Sequence, residues 1–233
     1  MFRSLILGFS AFAFSVFAAG PTASNVSLDK AFVPVGFDDN DRVEITIEGK
    51  LASTCYKVGE AQVRVDEHTQ QVTVKQEVLQ YGGICLNLGI PFTHTVSLGI
   101  VPAGEYSILD ATSGQSLGKL SVAIAKSTSA DDFLYASVTD ANVTTDESNQ
   151  KTLVLTGTFP DKCMTIKDTK FHYTKDAIVV QPIADRVEDP KGCPEGRYPF
   201  TKTYALSSGL RGVALLHIRV MNGQAINKMV DLD

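Results

Sequence analysis

The sequence contains no tryptophan, and its four cysteines stand far apart, with no C-x-x-C pair. A structural zinc site of the usual spacing is therefore not expected. No phosphate loop, G-x-G-x-x-G, H-E-x-x-H or G-x-S-x-G occurs, so nucleotide, zinc-protease and hydrolase chemistry have no motif to stand on. The four histidines (His68, His94, His172 and His217) are isolated from one another. Basic residues are the minority: 21 Lys and Arg against 26 Asp and Glu give a net charge of −5. A nucleic-acid partner needs a basic stripe, and none is present. Beyond the first twenty residues no apolar run approaches the ~20 residues of a bilayer span, so no span is expected in the mature chain. Nor does any stretch carry an amphipathic helical period.

What is present begins with MFRSLILGFSAFAFSVFAAG. Arg3, an apolar run from Leu5 to Phe17 and small residues at the end are the layout of a secretory signal peptide, with cleavage expected after Ala18. A periplasmic or extracellular location follows, and in that setting an even number of cysteines reads as disulfides.

The chain also repeats itself. "PFTHTVSL" at 91–98 returns as "PFTKTYAL" at 199–206, an offset of 108. The same offset carries Gly49 onto Gly157, Cys55 onto Cys163, Cys85 onto Cys193 and Gly104 onto Gly212. The chain therefore reads as a signal peptide (1–18) and two copies of one domain, 19–126 and 127–233. Each copy holds its own two cysteines at the same separation. The economical pairing is Cys55–Cys85 and Cys163–Cys193.

Within a copy the hydrophobic period is two. "VEITIEGKL", "AQVRVD", "QQVTVKQ", "PFTHTVSL", "GEYSILDA" and "LGKLSV" alternate between turn signals, and "SNVSLDKAFVPV" precedes them. Seven short strands in about a hundred residues predict an antiparallel, immunoglobulin-like or fibronectin-like β-sandwich. The fold class is all-β, with two such domains in tandem. Cys55 follows the second strand and Cys85 precedes the fifth, so the staple ties two loops at one pole. It is not the inter-sheet bridge of immunoglobulins, whose partner Trp is missing.

Gly49, Cys55, Cys85, Pro91, Phe92, Leu98, Gly104 and Tyr106 together resemble a small disulfide-containing secreted β-sandwich domain of bacterial envelope proteins whose activity is uncharacterised. The resemblance covers most of each copy, though the second has Ala214 where the first has Tyr106. It implies a scaffold and no catalytic residue.

Two stretches are candidate sites. "FDDND" sets Asp38, Asp39 and Asp41 close together, a donor set that suits Ca²⁺, although a solvated turn is the favoured reading. The segment before the fifth strand reads "EVLQYGGICLNLGI" in the first copy and "DRVEDPKGCPEGRY" in the second. Loops carry recognition on such scaffolds, so Tyr81, Ile84 and Leu86 are the candidate partner-binding residues. The competing reading packs that apolar loop onto its own sheet or the neighbouring domain. No cofactor is expected. The functional expectation is a non-enzymatic binding protein of the envelope, its partner a protein or a glycan. A secreted protease inhibitor, a structural envelope module and a hydrolase are the alternatives. Asn25 and Asn142 begin N-x-[ST] triplets, which matter only in a eukaryotic secretory pathway.

Overall fold

The structure is a computed structural model that describes residues 20–148, 150–207 and 209–233. The predicted signal peptide at 1–18 lies outside them. No helix among the described residues is long and apolar enough to cross a membrane.

The first half contains β1 (Thr22–Val26), β2 (Leu28–Phe32), β3 (Phe37–Asp38), β4 (Arg42–Leu51), β5 (Tyr56–Asp66), β6 (Gln71–Gln80), β7 (Ile90–Ile100), β8 (Gly104–Asp110) and β9 (Ser116–Ala123). The second contains β10 (Val138–Thr145), β11 (Lys151–Asp161), β12 (Met164–Tyr173), β13 (Ala177–Arg186), β14 (Glu195–Ala205), β15 (Val213–Val220) and β16 (Gln224–Asp231). The alternation read from the sequence sets their faces. Val43, Ile45 and Ile47 are fully buried in β4, while Glu44 and Glu48 remain partly in solvent.

Each half is a two-sheet sandwich with a shared core strand order, to which the first half adds β1 beside β6 and β3 beside β9. In the first, β2-β4-β7 faces a sheet in which β5 pairs with β6, β6 with β8 and β8 with β9. In the second, β10-β11-β14 faces β12-β13-β15-β16. Most neighbours are antiparallel, but β6–β8, β13–β15 and β3–β9 are parallel. The physical reason is the seating of a hairpin. The second strand of the β5–β6 hairpin lies beside β8, so it runs in the same direction as β8. In the second half β12–β13 is seated against β15 the same way.

The first core gathers Val43, Ile45, Ile47, Val72, Val74, Tyr106, Ile108 and Leu120. The second gathers Leu153, Leu155, Ile178, Val180, Leu216 and Ile218. The strands of the two halves are separated by residues 124–137.

The repeated "PFT" has a local cause. Phe92 sits opposite Gly49 across the β4–β7 ladder, and Phe200 sits opposite Gly157 across β11–β14. A Cβ on Gly49 would lie 2.9 Å from Phe92 Cζ; one on Gly157 would run into the Phe200 ring and the Ser137 carbonyl. The glycine leaves the space over which its cross-strand aromatic folds.

Candidate functional site

The structure joins Cys55 to Cys85 and Cys163 to Cys193, each across 30 residues, with no free cysteine. Cys55 lies in the β4–β5 turn and Cys85 in the β6–β7 loop, so these two connections share one pole. Backbone bonds reinforce the clamp: Tyr81 N donates to Cys55 O at 2.9 Å and Thr54 N to Leu86 O at 3.1 Å. Leu86 N donates back to Thr54 Oγ1 at 3.0 Å.

The clamped loop does not fold onto its own sheet. Ile84 is 100% exposed, Leu86 60%, Leu88 59% and Tyr81 38%. The Tyr81 ring is covered on one side by Lys57, whose Nζ stands 5.0 Å from the ring centroid. Three large aliphatic side chains exposed within residues 84–88, one of them fully, leave an apolar surface of the kind that marks an interaction site.

The aspartates of "FDDND" are used differently from one another. Asp39 accepts from Ala125 N at 2.8 Å, and Asp38 accepts from Asn40 N at 3.3 Å. Asp41 accepts from Asp38 N and forms a 2.6 Å pair with Arg219. Their oxygens do not converge as a calcium shell requires. Among the described residues, the one cluster of three potential ligands close enough to share an ion is Asp161, Cys163 and Cys193, and its cysteines are in a disulfide.

Arg219 belongs to the second half, so the turn is half of an interface. Its guanidinium also donates to Gly36 O at 2.7 Å and lies 4.7 Å above the Phe37 ring. Beside it, Phe32 packs with Ala177, Leu215 and Met229, and Lys30 pairs with Asp176 at 2.6 Å. The sheet that carries β13 and β15 is thus covered on both faces. Ile178, Val180, Leu216 and Ile218 face their own core, and Ala177, Leu215 and Arg219 face the first half. Sequence reasoning missed this face. The available signals were "AIVV" at 177–180 and "VALL" at 213–216, consecutive apolar residues where the first half alternates, which is how a strand buried on both sides reads.

His217 lies in this interface. It is buried, its Nδ1 donates to Asn227 Oδ1 at 2.7 Å, and Asn227 Nδ2 donates to Glu44 Oε2 at 2.6 Å across the junction. Burial pushes its pKa down from 6.5 to about 4, assisted by nearby Arg219 and opposed by the Asn227 bond and Asp41. The unfolded chain therefore takes up a proton near pH 6.5 that the native state refuses until about pH 4. The stabilisation is complete above pH 6.5 and is lost as the pH falls through that window. Denaturant titrations should show about 2 kcal/mol lost between pH 7.5 and pH 5, and His217→Asn should remove most of that slope. An unchanged slope would show that His217 is not the group responsible.

His94 and His172 are bonded to side-chain amides as well. His94 Nδ1 lies 2.8 Å from Gln76 Oε1, and His172 Nε2 lies 3.3 Å from Gln181 Oε1. Gln76 is fully buried and donates to the Gly59 and Glu77 carbonyls. An amide orients an imidazole without the charge a carboxylate would lend it as a base.

Between the halves runs an open cleft of about 530 Å³. Gln181, Phe37 and Asp38 line it as buried residues, and Lys126, Lys170, Asp132 and Phe133 as exposed ones. Burial is the main cause that raises the Asp38 pKa, with Asp41 and Asp132 adding to it. Gln181 donates to Tyr135 Oη at 3.2 Å, and burial pushes that phenol up to about 12.

The first half's central strands, with the Cys55–Cys85 staple and the Gly49–Phe92 pair, also match a known domain. Residues 45–109 match the ORF11 beta-sandwich domain. No curated protein and no solved structure matches the chain. The ORF11 beta-sandwich match runs from within β4 to within β8, so it includes the exposed loop and stops short of the junction. Two disulfides are typical of proteins of the periplasm or the extracellular space.

Proposed function

We propose that this is an exported, non-enzymatic binding protein of the cell envelope, two copies of one β-sandwich domain, which captures a protein partner at the stapled pole of the first copy. The reading rests on one observation: Ile84, Leu86 and Leu88 stand in solvent on a loop clamped at Cys55–Cys85. A clamped loop loses little further freedom when a partner docks, so more of its contact energy reaches the affinity. Aliphatic side chains favour a protein surface over a glycan. The internal repeat and the leader-like first eighteen residues support duplication and export.

The mature chain should retain a defined partner from an envelope extract. Ile84→Asp with Leu86→Asp should abolish retention while the melting temperature stays within about 2 °C, as for other exposed positions. Retention of the same partner by the double variant would sink the reading. So would a large loss of stability, which would make the loop part of the core. The same clamped, exposed loop would suit a protease inhibitor, and tight inhibition in a protease panel would identify the partner as an enzyme.

A further inference from the structure

The two halves can be compared position by position around β8 and β15. Ser107 N donates to Gln70 O at 2.9 Å, and Leu215 N donates to Asp176 O at 2.9 Å. Gly104 lies opposite Val122, and Gly212 accepts from Leu232 N at 2.9 Å. The parallel ladder begins at Gln71–Ser107 in one half and at Ala177–Leu215 in the other. These contacts place Tyr106 and Ala214 at the same point of the fold.

In the first half the Tyr106 ring is 2% exposed, and its hydroxyl donates to Pro102 O at 3.0 Å. The residue at the place of Pro102 in the second half is Leu210. At Ala214 no ring is present, and a cavity of about 280 Å³ opens there instead. Its apolar walls are Ile178, Leu210, Ala214 and Leu232, of which Ile178, Ala214 and Leu232 are buried. Lys175 and Arg211 also line it, no acidic residue does, and neither cation has a carboxylate within 4.0 Å among the described residues.

We infer that this cavity is a binding site for a small aromatic carboxylate. The ring takes the place that the Tyr106 side chain fills in the other half, and the carboxylate meets Lys175 and Arg211. Three observations select that chemistry. The fold itself builds a phenol into the equivalent position, so its walls accept a six-membered ring. The buried walls on this side, Ile178, Ala214 and Leu232, are all aliphatic, and Thr174 is the one uncharged polar side chain in the lining, which favours an apolar ring over a sugar. The charged residues at the cavity are both positive, and an Arg is suited to grip a carboxylate through two parallel bonds. The ligand is either a free arylalkanoic acid or the C-terminal aromatic residue of a peptide; both present a ring a few bonds from a carboxylate.

The test uses the mature chain with 3-(4-hydroxyphenyl)propanoate, its neutral amide, and the tripeptide Gly-Gly-Tyr with a free C-terminus. Amide-resonance mapping and calorimetry should show saturable binding of at least one acid, with shifts confined to residues around Ile178, Leu210 and Ala214. The amide should bind at least tenfold more weakly. Ala214→Tyr should fill the cavity with the chain's own ring and abolish binding, with a melting temperature no lower than the parent's. If that variant misfolds, Lys175→Gln with Arg211→Gln decides, and should weaken the acid about tenfold or more while leaving the fold intact. Binding by either acid upholds the site, and the tighter one identifies the source. No saturable shift at millimolar acid, equal binding of the amide, or full affinity in the double variant would overturn the inference.

Discussion

Arg219→Ala should cost about 3–5 kcal/mol of folding stability, because it leaves Asp41 as an uncompensated buried carboxylate. The two side chains are only 8% and 4% exposed, and the pair is closed by a 2.6 Å bond. Truncation also removes the donor to Gly36 O and the cation above Phe37. Urea titration at pH 7 measures the effect. Two further outcomes make the assignment specific. Asp41→Leu combined with Arg219→Met should recover much of the loss, since exchanging a buried pair for apolar residues is often neutral. The single variant should also broaden or split the transition, as the two halves lose the buried ion pair that links them and cease to unfold together. A cost below about 1 kcal/mol would show that the pair behaves like a solvated surface bridge.

Gly157→Ala should be nearly as damaging, at about 3 kcal/mol, near the upper end for overpacking a close-packed site. The new methyl would meet the Phe200 ring and the Ser137 carbonyl at once. A ring can turn aside, but a backbone oxygen moves only with the chain that carries it. Phe200 is further held by stacking on Phe159, with centroids 4.5 Å apart. Phe200→Leu in the same chain should therefore rescue only part of the loss. Gly49→Ala is the internal control. Its methyl would approach Phe92 at 2.9 Å but the Ser27 carbonyl only at 3.3 Å, so its cost should be clearly smaller. Equal costs in a thermal or urea series would show that the aromatic ring, not the carbonyl, sets the penalty.

Much of this architecture was legible because its causes are local. Val43, Ile45 and Ile47 alternate with polar residues since a strand turns successive side chains to opposite faces. Gly49 with Phe92, and Gly157 with Phe200, recur at one offset because a glycine and a ring must meet across a ladder. What escaped the sequence depends on contacts between distant segments. Alternation is identical in β5 and β6, so nothing in it tells which strand of that hairpin sits beside β8, and the parallel pairings followed from that placement. "FDDND" showed acidity but not its use, because the partner of Asp41 lies 178 residues away. The apolar loop at Tyr81, Ile84 and Leu86 read more readily as packed than as exposed, and the clamp to Cys55 and Thr54 that holds it in solvent is a contact between distant segments. The replacement of Tyr106 by Ala214 was visible as a letter, while the cavity it leaves depends on how Leu210 and Leu232 settle around it.

The distance along the chain between Asp41 and Arg219 also fixes an order of events. A ribosome adding about 5–20 residues per second delivers Arg219 roughly 10–35 s after Asp41. Throughout that interval the first half can complete its own ladder from β1 to β9, with Asp41 still hydrated and Phe32 and Phe37 uncovered. The carboxylate loses its water only when the second sandwich arrives carrying the cation that replaces it. The early-made half therefore waits with a wet, partly apolar flank, and most of what covers it (Leu215, His217, Arg219, Asn227 and Met229) is made within one late stretch of the second half.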